Sequence, residues 1–168
     1  MAQFERLLIA VNRLLVAGAL AAMFVIVFAN VIGRYVFGVS LSWGEEVARF
    51  LMIFGVFAGA GLALRSGRLV EIDIVTAFLP DRLRRIVRWG AVALMAGFMA
   101  LIFYYGVRFV AFGWNKETMA TGISRGIPYL AVPLGAALFL CHLALVCRAF
   151  VADEFEADAV LDEQDTPL

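Results

Sequence analysis

Two adjacent carboxylates and an arginine stand together in an otherwise apolar part of the chain, in the segment SLSWGEEVAR, residues 40–49. Glu45 and Glu46 could bind a cation or carry a proton, and Arg49 could bind an anion or pair with one of the acids. The same side chains could instead hold two helices or two subunits together, or cap a helix at a membrane surface. Because each interpretation needs different surroundings, the elements around the segment decide among them.

Side chains that commonly bind metals or act as nucleophiles are few. The chain has one histidine, His142, and two cysteines, Cys141 and Cys147. One histidine cannot supply a pair of axial haem ligands, and two cysteines six residues apart on a helix point in different directions. The sequence contains no metalloprotease motif, phosphate-binding loop or serine–histidine–aspartate set. We therefore expect no catalytic residue, no metal site and no cofactor, and a protein that is not an enzyme.

The composition indicates an integral membrane protein. Of the 168 residues, 64% are hydrophobic, whereas soluble domains are about half apolar. The net charge is zero, but residues 153–168 hold seven acidic residues and no basic one, which leaves 14 basic against 7 acidic residues elsewhere. We predict a four-helix membrane domain over residues 1–152 and an acidic, disordered cytoplasmic tail over residues 153–168.

Four apolar blocks are long enough to cross a membrane, which takes roughly 20 helical residues. They predict transmembrane spans over about residues 11–33, 43–65, 87–108 and 127–149. If the N-terminus is inside, the inner side carries nine basic residues and the outer side five. The positive-inside rule then places both the N- and C-termini in the cytoplasm. The predicted fold class is an all-α membrane protein with four transmembrane helices.

The connection between the second and third spans has a composition of its own. Residues 69–79 are mostly apolar but too few to cross the bilayer, which predicts an interfacial segment. Four arginines follow it: Arg82, Arg84, Arg85 and Arg88. Attraction to anionic membrane lipids explains this cluster better than a nucleic acid does, so membrane lipids are expected partners and nucleic acid is not.

Local helix physics accounts for most polar residues of segment 40–49. Ser42 and Glu45 fit a capping box, in which each side chain bonds the other residue's backbone amide. Glu45 and Arg49 are four residues apart, in the order that favours an ion pair, and Trp43 suits the interfacial belt. Neither the cap nor the pair requires Glu46. A contact between Glu46 and another element or subunit is therefore an open possibility.

The interiors of the spans contain no Asp, Glu, Lys or Arg near the predicted midplane. Ion-coupled carriers commonly place ionisable groups or broken helices there, so the pattern favours a scaffold or accessory subunit over an independent transporter. Gly55, Gly59 and Ala63 recur every four residues along the second span. This stripe of small residues predicts a close helix contact, within the chain or with a partner.

Three stretches resemble the small membrane subunit of the tripartite ATP-independent periplasmic (TRAP) transporters, over about residues 30–140. They are NVIGRYVFGVSLSWGEEVARFL, GAGLALRSGRLVEIDIVTAFLP and GIPYLAVPLGAALF. The most specific part is the GRYVFG block at residues 33–38 together with Trp43, Glu45 and Glu46. Leu69 stands where a histidine is common in the family, so no role of that histidine is carried over.

The resemblance implies a multi-pass protein of the bacterial or archaeal inner (cytoplasmic) membrane that works with two partners. A large multi-span subunit would carry the substrate and the coupling ions, typically sodium, and a periplasmic binding protein would deliver an organic acid through transient contact. This chain would brace the large subunit. The residues expected to contact that subunit, or to orient the first two helices, are Arg34, Trp43, Glu45, Glu46 and Arg49.

Two other functions stay open from the sequence. The chain could be a stand-alone small carrier that uses Glu45 or Glu46 as a proton site, in which case it would support uptake alone. It could also be the membrane anchor of a redox enzyme with His142 as a single haem ligand, in which case the purified chain would show haem absorbance. The transported compound is not readable from this chain, because its contacts would lie in other polypeptides.

Overall fold

The computed structural model describes residues 2–65 and 79–152. It contains α1 (Ala2–Val36), α2 (Ser42–Arg65), α3 (Asp81–Gly113), the short α4 (Gly126–Tyr129) and α5 (Ala131–Ala152). Together α4 and α5 form the fourth apolar span, so four stretches are long and apolar enough to cross a membrane. The prediction of an all-α protein with four such helices is confirmed. The predicted interfacial segment, apart from Leu79, and the acidic tail lie outside the described residues.

The fourth span is interrupted one turn after it begins. Proline has no amide hydrogen, so Pro133 cannot donate to the carbonyl of Tyr129, and α4 ends there. The helical bonds resume when the Leu134 amide donates to the Leu130 carbonyl at 3.0 Å. The Pro133 ring lies against Gly106 of α3, where an added Cβ would meet the proline Cδ at 3.1 Å. Gly106 thus lets α3 approach the proline closely.

The four spans lie side by side in a row rather than in a closed bundle. α1 packs on α2, α2 on α5, and α5 on α3, with no packing of comparable extent between α1 and α3 among the described residues. The helices share two ends along their axes. One, which we call the termini end, holds the starts of α1 and α3 and the ends of α2 and α5. The opposite end, the turn end, holds the α1–α2 turn and the α3–α4 loop. α1 and α3 therefore expose long apolar faces, which suit lipid or a membrane partner.

The buried apolar cluster lies where α2, α3 and α5 meet, and it comprises Leu64, Val92, Phe139 and Leu143. Arg88 of α3 is also buried at the termini end, where its Nη1 lies 3.5 Å from the Phe150 carbonyl. The prediction that the whole arginine cluster faces lipid headgroups is therefore wrong for Arg88, which is engaged by α5. Arg82 and Arg85 are exposed as that interpretation requires.

Candidate functional site

At the turn end, one amide side chain joins α1 to α2. The Asn30 Oδ1 accepts a hydrogen bond from the Leu41 amide at 2.7 Å, just before α2 begins. The Asn30 Nδ2 lies 3.5 Å from the Glu45 Oε1 and donates to it. Gly38, with φ +68°, lets the backbone reverse between the two helices. Asn30 therefore fixes both the direction and the first turn of α2.

The capping box predicted from Ser42 and Glu45 is wrong. Ser42 is the first residue of α2 and not the cap residue before it. Neither of the two side-chain bonds of a capping box forms between Ser42 and Glu45. The physical reason is Asn30, whose Oδ1 already accepts from the Leu41 amide just before the helix at 2.7 Å. The expected ion pair between Glu45 and Arg49 also does not form within the described residues.

Glu46, which local helix physics left unexplained, binds a loop 75 residues further along the chain. Its Oε2 accepts hydrogen bonds from the Thr121 amide at 2.8 Å, the Ala120 amide at 3.1 Å and the Thr121 hydroxyl at 3.1 Å. Backbone amides that converge on a carboxylate make charge-assisted bonds, which are stronger than neutral ones. The carboxylate thus ties the start of α2 to the α3–α4 loop.

That loop is built to present its amides. The Arg125 amide donates to the Lys116 carbonyl at 2.7 Å, and the Thr118 amide donates to the Ile123 carbonyl at 2.9 Å. Gly122, with φ +67°, allows the tight reversal between them. The loop over residues 116–125 is therefore an ordered hairpin-like cover at the turn end, and Glu46 anchors its tip.

The other three residues predicted to contact a subunit are exposed. Arg34 lies in the last turn of α1, and Trp43 and Arg49 lie in the first turns of α2. Arg34 and Glu45 line one cleft between the two helices, of about 280 Å³. We call Arg34, Trp43, Glu45 and Arg49 the turn-end patch. It contains four of the five predicted residues, all of them exposed, whereas Glu46 is engaged inside the chain.

A second polar site lies at the termini end, and the sequence analysis missed it. The Arg65 Nη1 bonds the Glu5 Oε1 at 2.6 Å, and the Arg65 Nε donates to the His142 Nδ1 at 2.8 Å. On its other side, His142 Nε2 lies 3.1 Å from the Asn12 Nδ2, which also donates to the Ala58 carbonyl at 3.1 Å. This buried chain of side chains links α1, α2 and α5.

The hydrogen-bond donors around His142 decide which ring nitrogen carries its proton. A guanidinium can only donate, so the His142 Nδ1 accepts and the neutral imidazole carries its proton on Nε2. The Asn12 amide can then serve one neighbour at a time, with its nitrogen toward the Ala58 carbonyl or its oxygen toward the Nε2 proton. His142 is fully buried and its Nδ1 accepts from Arg65, and this argues against the haem-anchor alternative.

Two buried atoms of this second polar site, the Asn12 Oδ1 and the Arg65 Nη2, have no hydrogen-bond partner in the part of the protein that the structure describes. Asn12 is 1% exposed and His142 is fully buried. Asn12 and His142 are polar side chains inside predicted spans, and they are the signals that could have pointed to this site, since buried polar side chains need partners.

The closest helix contacts of α2 lie on the face opposite the predicted small-residue stripe. An added Cβ on Gly61 would meet the His142 Cδ2 at 2.6 Å, and one on Gly135 of α5 would meet the Phe57 backbone carbon at 2.7 Å. On the predicted stripe, Gly59 allows ordinary contact with α1, and Gly55 has nothing within 4 Å. Gly55 is thus free of close contacts inside the described chain.

Comparison with known proteins agrees with this architecture. Residues 23–152 match the family described as "Tripartite ATP-independent periplasmic transporters, DctQ component". The ectoine TRAP transporter small permease protein TeaB of Halomonas elongata is 37% identical over 109 residues, which cover 64% of this chain and 56% of that protein.

Two further relatives differ in length. The C4-dicarboxylate TRAP transporter small permease protein DctQ of Vibrio cholerae is 27% identical over 152 residues, which cover 76% of this chain and 66% of that protein. The sialic acid TRAP transporter permease protein SiaT of Haemophilus influenzae is 28% identical over 119 residues, which cover 71% of this chain but 19% of that protein. In that relative, the region similar to this chain is a small part of a much longer permease.

Proposed function

Because this chain belongs to the DctQ family of the tripartite ATP-independent periplasmic transporters, we propose that it is the small membrane subunit of such a transporter and braces a large permease subunit. The observation that carries the proposal is the family match over residues 23–152, which includes all of α2, α3, α4 and α5. The long SiaT relative supports a large partner, because a region like this chain occurs there within one polypeptide.

The architecture suits a brace rather than a carrier. The four spans form an open row, so the apolar faces of α1 and α3 are available to a membrane partner. The two polar sites lie at opposite ends of the row, and both join helices of this chain to one another. Rigid ends and open apolar faces are what a static support for a moving transport domain requires.

Trp43 and Arg49 of the turn-end patch are the proposed polar contact with the large subunit. Trp43 and Arg49 are exposed beside the anchored start of α2, where Asn30 and Glu46 hold the backbone in place. Side chains on a rigid element lose less conformational freedom when they bind, so a partner gains more from contacting them. The patch also lies at the end of the spans, where polar contacts with a second membrane protein face water or headgroups.

The finer assignments follow the family. We propose that the chain lies in the inner membrane with both termini in the cytoplasm, so that the turn end faces the periplasm. There the α3–α4 loop would touch a periplasmic binding protein. The large subunit would use an ion gradient, with sodium as the expected ion, to import an organic acid. The named substrates of the relatives, ectoine and C4-dicarboxylates among them, span several classes, so the class of this substrate follows from its own binding protein.

Co-purification tests the proposed contact. The chain is tagged and expressed with its large permease subunit, and recovery of that subunit is compared between wild type and the Arg49→Glu variant. Arg108→Glu, an exposed arginine near the turn end of α3, is the matched control. We expect Arg49→Glu to lower recovery of the large subunit and Arg108→Glu to leave it near the wild-type level. Equal recovery in all three would remove the turn-end patch from the interface.

A further inference from the structure

Two surface depressions that share Val27 lie along the exposed side of α1, starting at the turn end, and together we call them the groove. Its upper part is the cleft of about 280 Å³ between α1 and the start of α2, where Asn30, Arg34 and Glu45 form the polar wall. Its lower part is an apolar groove of about 580 Å³, lined by residues that include Leu20 and Phe24. Val27 lines both parts, so a ligand with a polar head and an apolar tail could occupy them together.

The polar wall carries one charge of each sign. Arg34 and Glu45 are both exposed, and they do not pair with each other among the described residues. One oxygen of Glu45 is held weakly by the Asn30 amide at 3.5 Å, which leaves the other oxygen available. A ligand that is complementary to this wall needs an anion near Arg34 and a cation near Glu45.

The length of the apolar part of the groove matches one lipid leaflet. The α-helix rises 1.5 Å per residue, so Val27 and Ala17, which bound this part, are about 15 Å apart along α1. The hydrocarbon of one leaflet is also about 15 Å deep, half of the ~30 Å core. Phe24, which lines the apolar part, stacks on Phe28 with the ring centroids 5.8 Å apart.

We infer that this groove binds one zwitterionic phospholipid, with its phosphate at Arg34, its headgroup ammonium at Glu45 and an acyl chain along Val27 and Phe24. An anionic lipid would meet Glu45 without a compensating cation. An apolar transmembrane helix would leave both charges unpaired. The inference goes beyond the proposed function, because the site is built entirely from this chain and binds its lipid with or without the large subunit.

Native mass spectrometry of the purified full-length chain tests the site. The probes are phosphatidylethanolamine and phosphatidylglycerol with identical acyl chains, added to the detergent-solubilised protein. We expect the wild type to retain phosphatidylethanolamine in roughly fivefold preference, the scale of one exposed ion pair. Arg34→Gln should lower retention of both lipids, and Glu45→Gln should abolish the preference. Arg108→Gln, which alters an exposed arginine of α3 outside the groove, should behave as wild type. Equal retention in all variants, or a preference for phosphatidylglycerol in the wild type, would overturn the inference.

A second measurement identifies the occupant directly. A photoreactive phenylalanine analogue placed at Phe24 is irradiated in membranes that contain the chain and its large subunit. A cross-link to phospholipid supports the site, and a cross-link to a polypeptide at this position overturns it in favour of a partner helix. All the altered side chains are exposed, so we expect the helices of each variant to stay intact. Circular dichroism of each variant measures this.

Discussion

Replacing Asn12 with alanine tests whether the buried chain at the termini end holds the helices together. Asn12 is 1% exposed, and its amide contacts both the Ala58 carbonyl of α2 and the His142 ring of α5, at 3.1 Å each. The alanine variant removes the amide from both neighbours, so the one that the amide serves, either the Ala58 carbonyl or the imidazole proton, loses its partner. It creates no clash, because the alanine side chain is contained within the volume of asparagine.

The expected loss can be sized from its parts. A hydrogen bond between membrane helices contributes on average about 0.6 kcal/mol. A buried polar group left without a partner costs about 1–3 kcal/mol. Since Asn12 already has one unpaired atom in the described structure, the net destabilisation should lie at the low end of the combined range, about 1–2 kcal/mol. This corresponds to a roughly 5- to 30-fold change in the folded-to-unfolded ratio.

Unfolding in mixed micelles with increasing dodecyl sulfate, followed by tryptophan fluorescence, measures this change. Gln3→Ala is the control, because it removes an exposed amide from the same helix and should shift the unfolding free energy little. His142→Leu combined with Asn12→Ala should show a coupling energy of at least about 0.5 kcal/mol, as residues in contact do. If Asn12→Ala is no more destabilising than the control, or the two changes are additive, the buried chain does not lock the helices.

Three further changes probe the remaining contacts. Gly135→Ala should destabilise the fold by about 1–3 kcal/mol in the same micelle assay, because its Cβ would press on the α2 backbone, while Gly55→Ala should be near neutral; equal effects would contradict the packing. Glu46→Gln should speed hydrogen exchange of the two loop amides that it binds severalfold, and Glu45→Gln should not; unchanged exchange would show that the carboxylate does not anchor the loop. Arg65→Lys keeps the charge, but an ammonium lacks the rigid fork that bonds a carboxylate and an imidazole together, so we expect the midpoint of thermal unfolding to fall below that of the wild type. An unchanged midpoint would contradict the role of the guanidinium fork.

The helices and their number could be predicted because length and apolarity are local properties of the sequence. Each span can be identified from one apolar stretch of about 20 residues. The order of the helices in the row was not predictable in this way. It depends on close approaches such as Gly135 against Phe57, which involve residues 78 positions apart and leave no periodic trace in either helix alone.

The polar sites show where local reasoning ends. The pattern at Ser42 and Glu45 is a sound capping box in isolation, but Asn30 from the preceding helix already accepts from the Leu41 amide just before α2. Glu46 was correctly singled out as unexplained, and its partner proved to be a loop 75 residues away. Whether the turn-end patch contacts a second subunit stays a prediction, since that contact lies between chains.

The Asn12–His142 contact was out of reach for the same reason. The two residues are 130 positions apart, and in the sequence each looks like an ordinary polar residue near the end of a span. Only the fold brings them together with Arg65, which the sequence marked merely as the boundary of a span. A single buried amide in an apolar helix is the feature that deserves a search for partners in similar proteins.

Reconstituted transport tests the central claim most directly. Proteoliposomes are prepared with the large permease subunit and the binding protein loaded with its own ligand, with this chain either present or omitted, and uptake is measured under an imposed sodium gradient. The account predicts uptake when the chain is present, little uptake when it is omitted, and none from the chain alone. Equal uptake without the chain, or uptake by the chain by itself, would contradict its role as the bracing subunit.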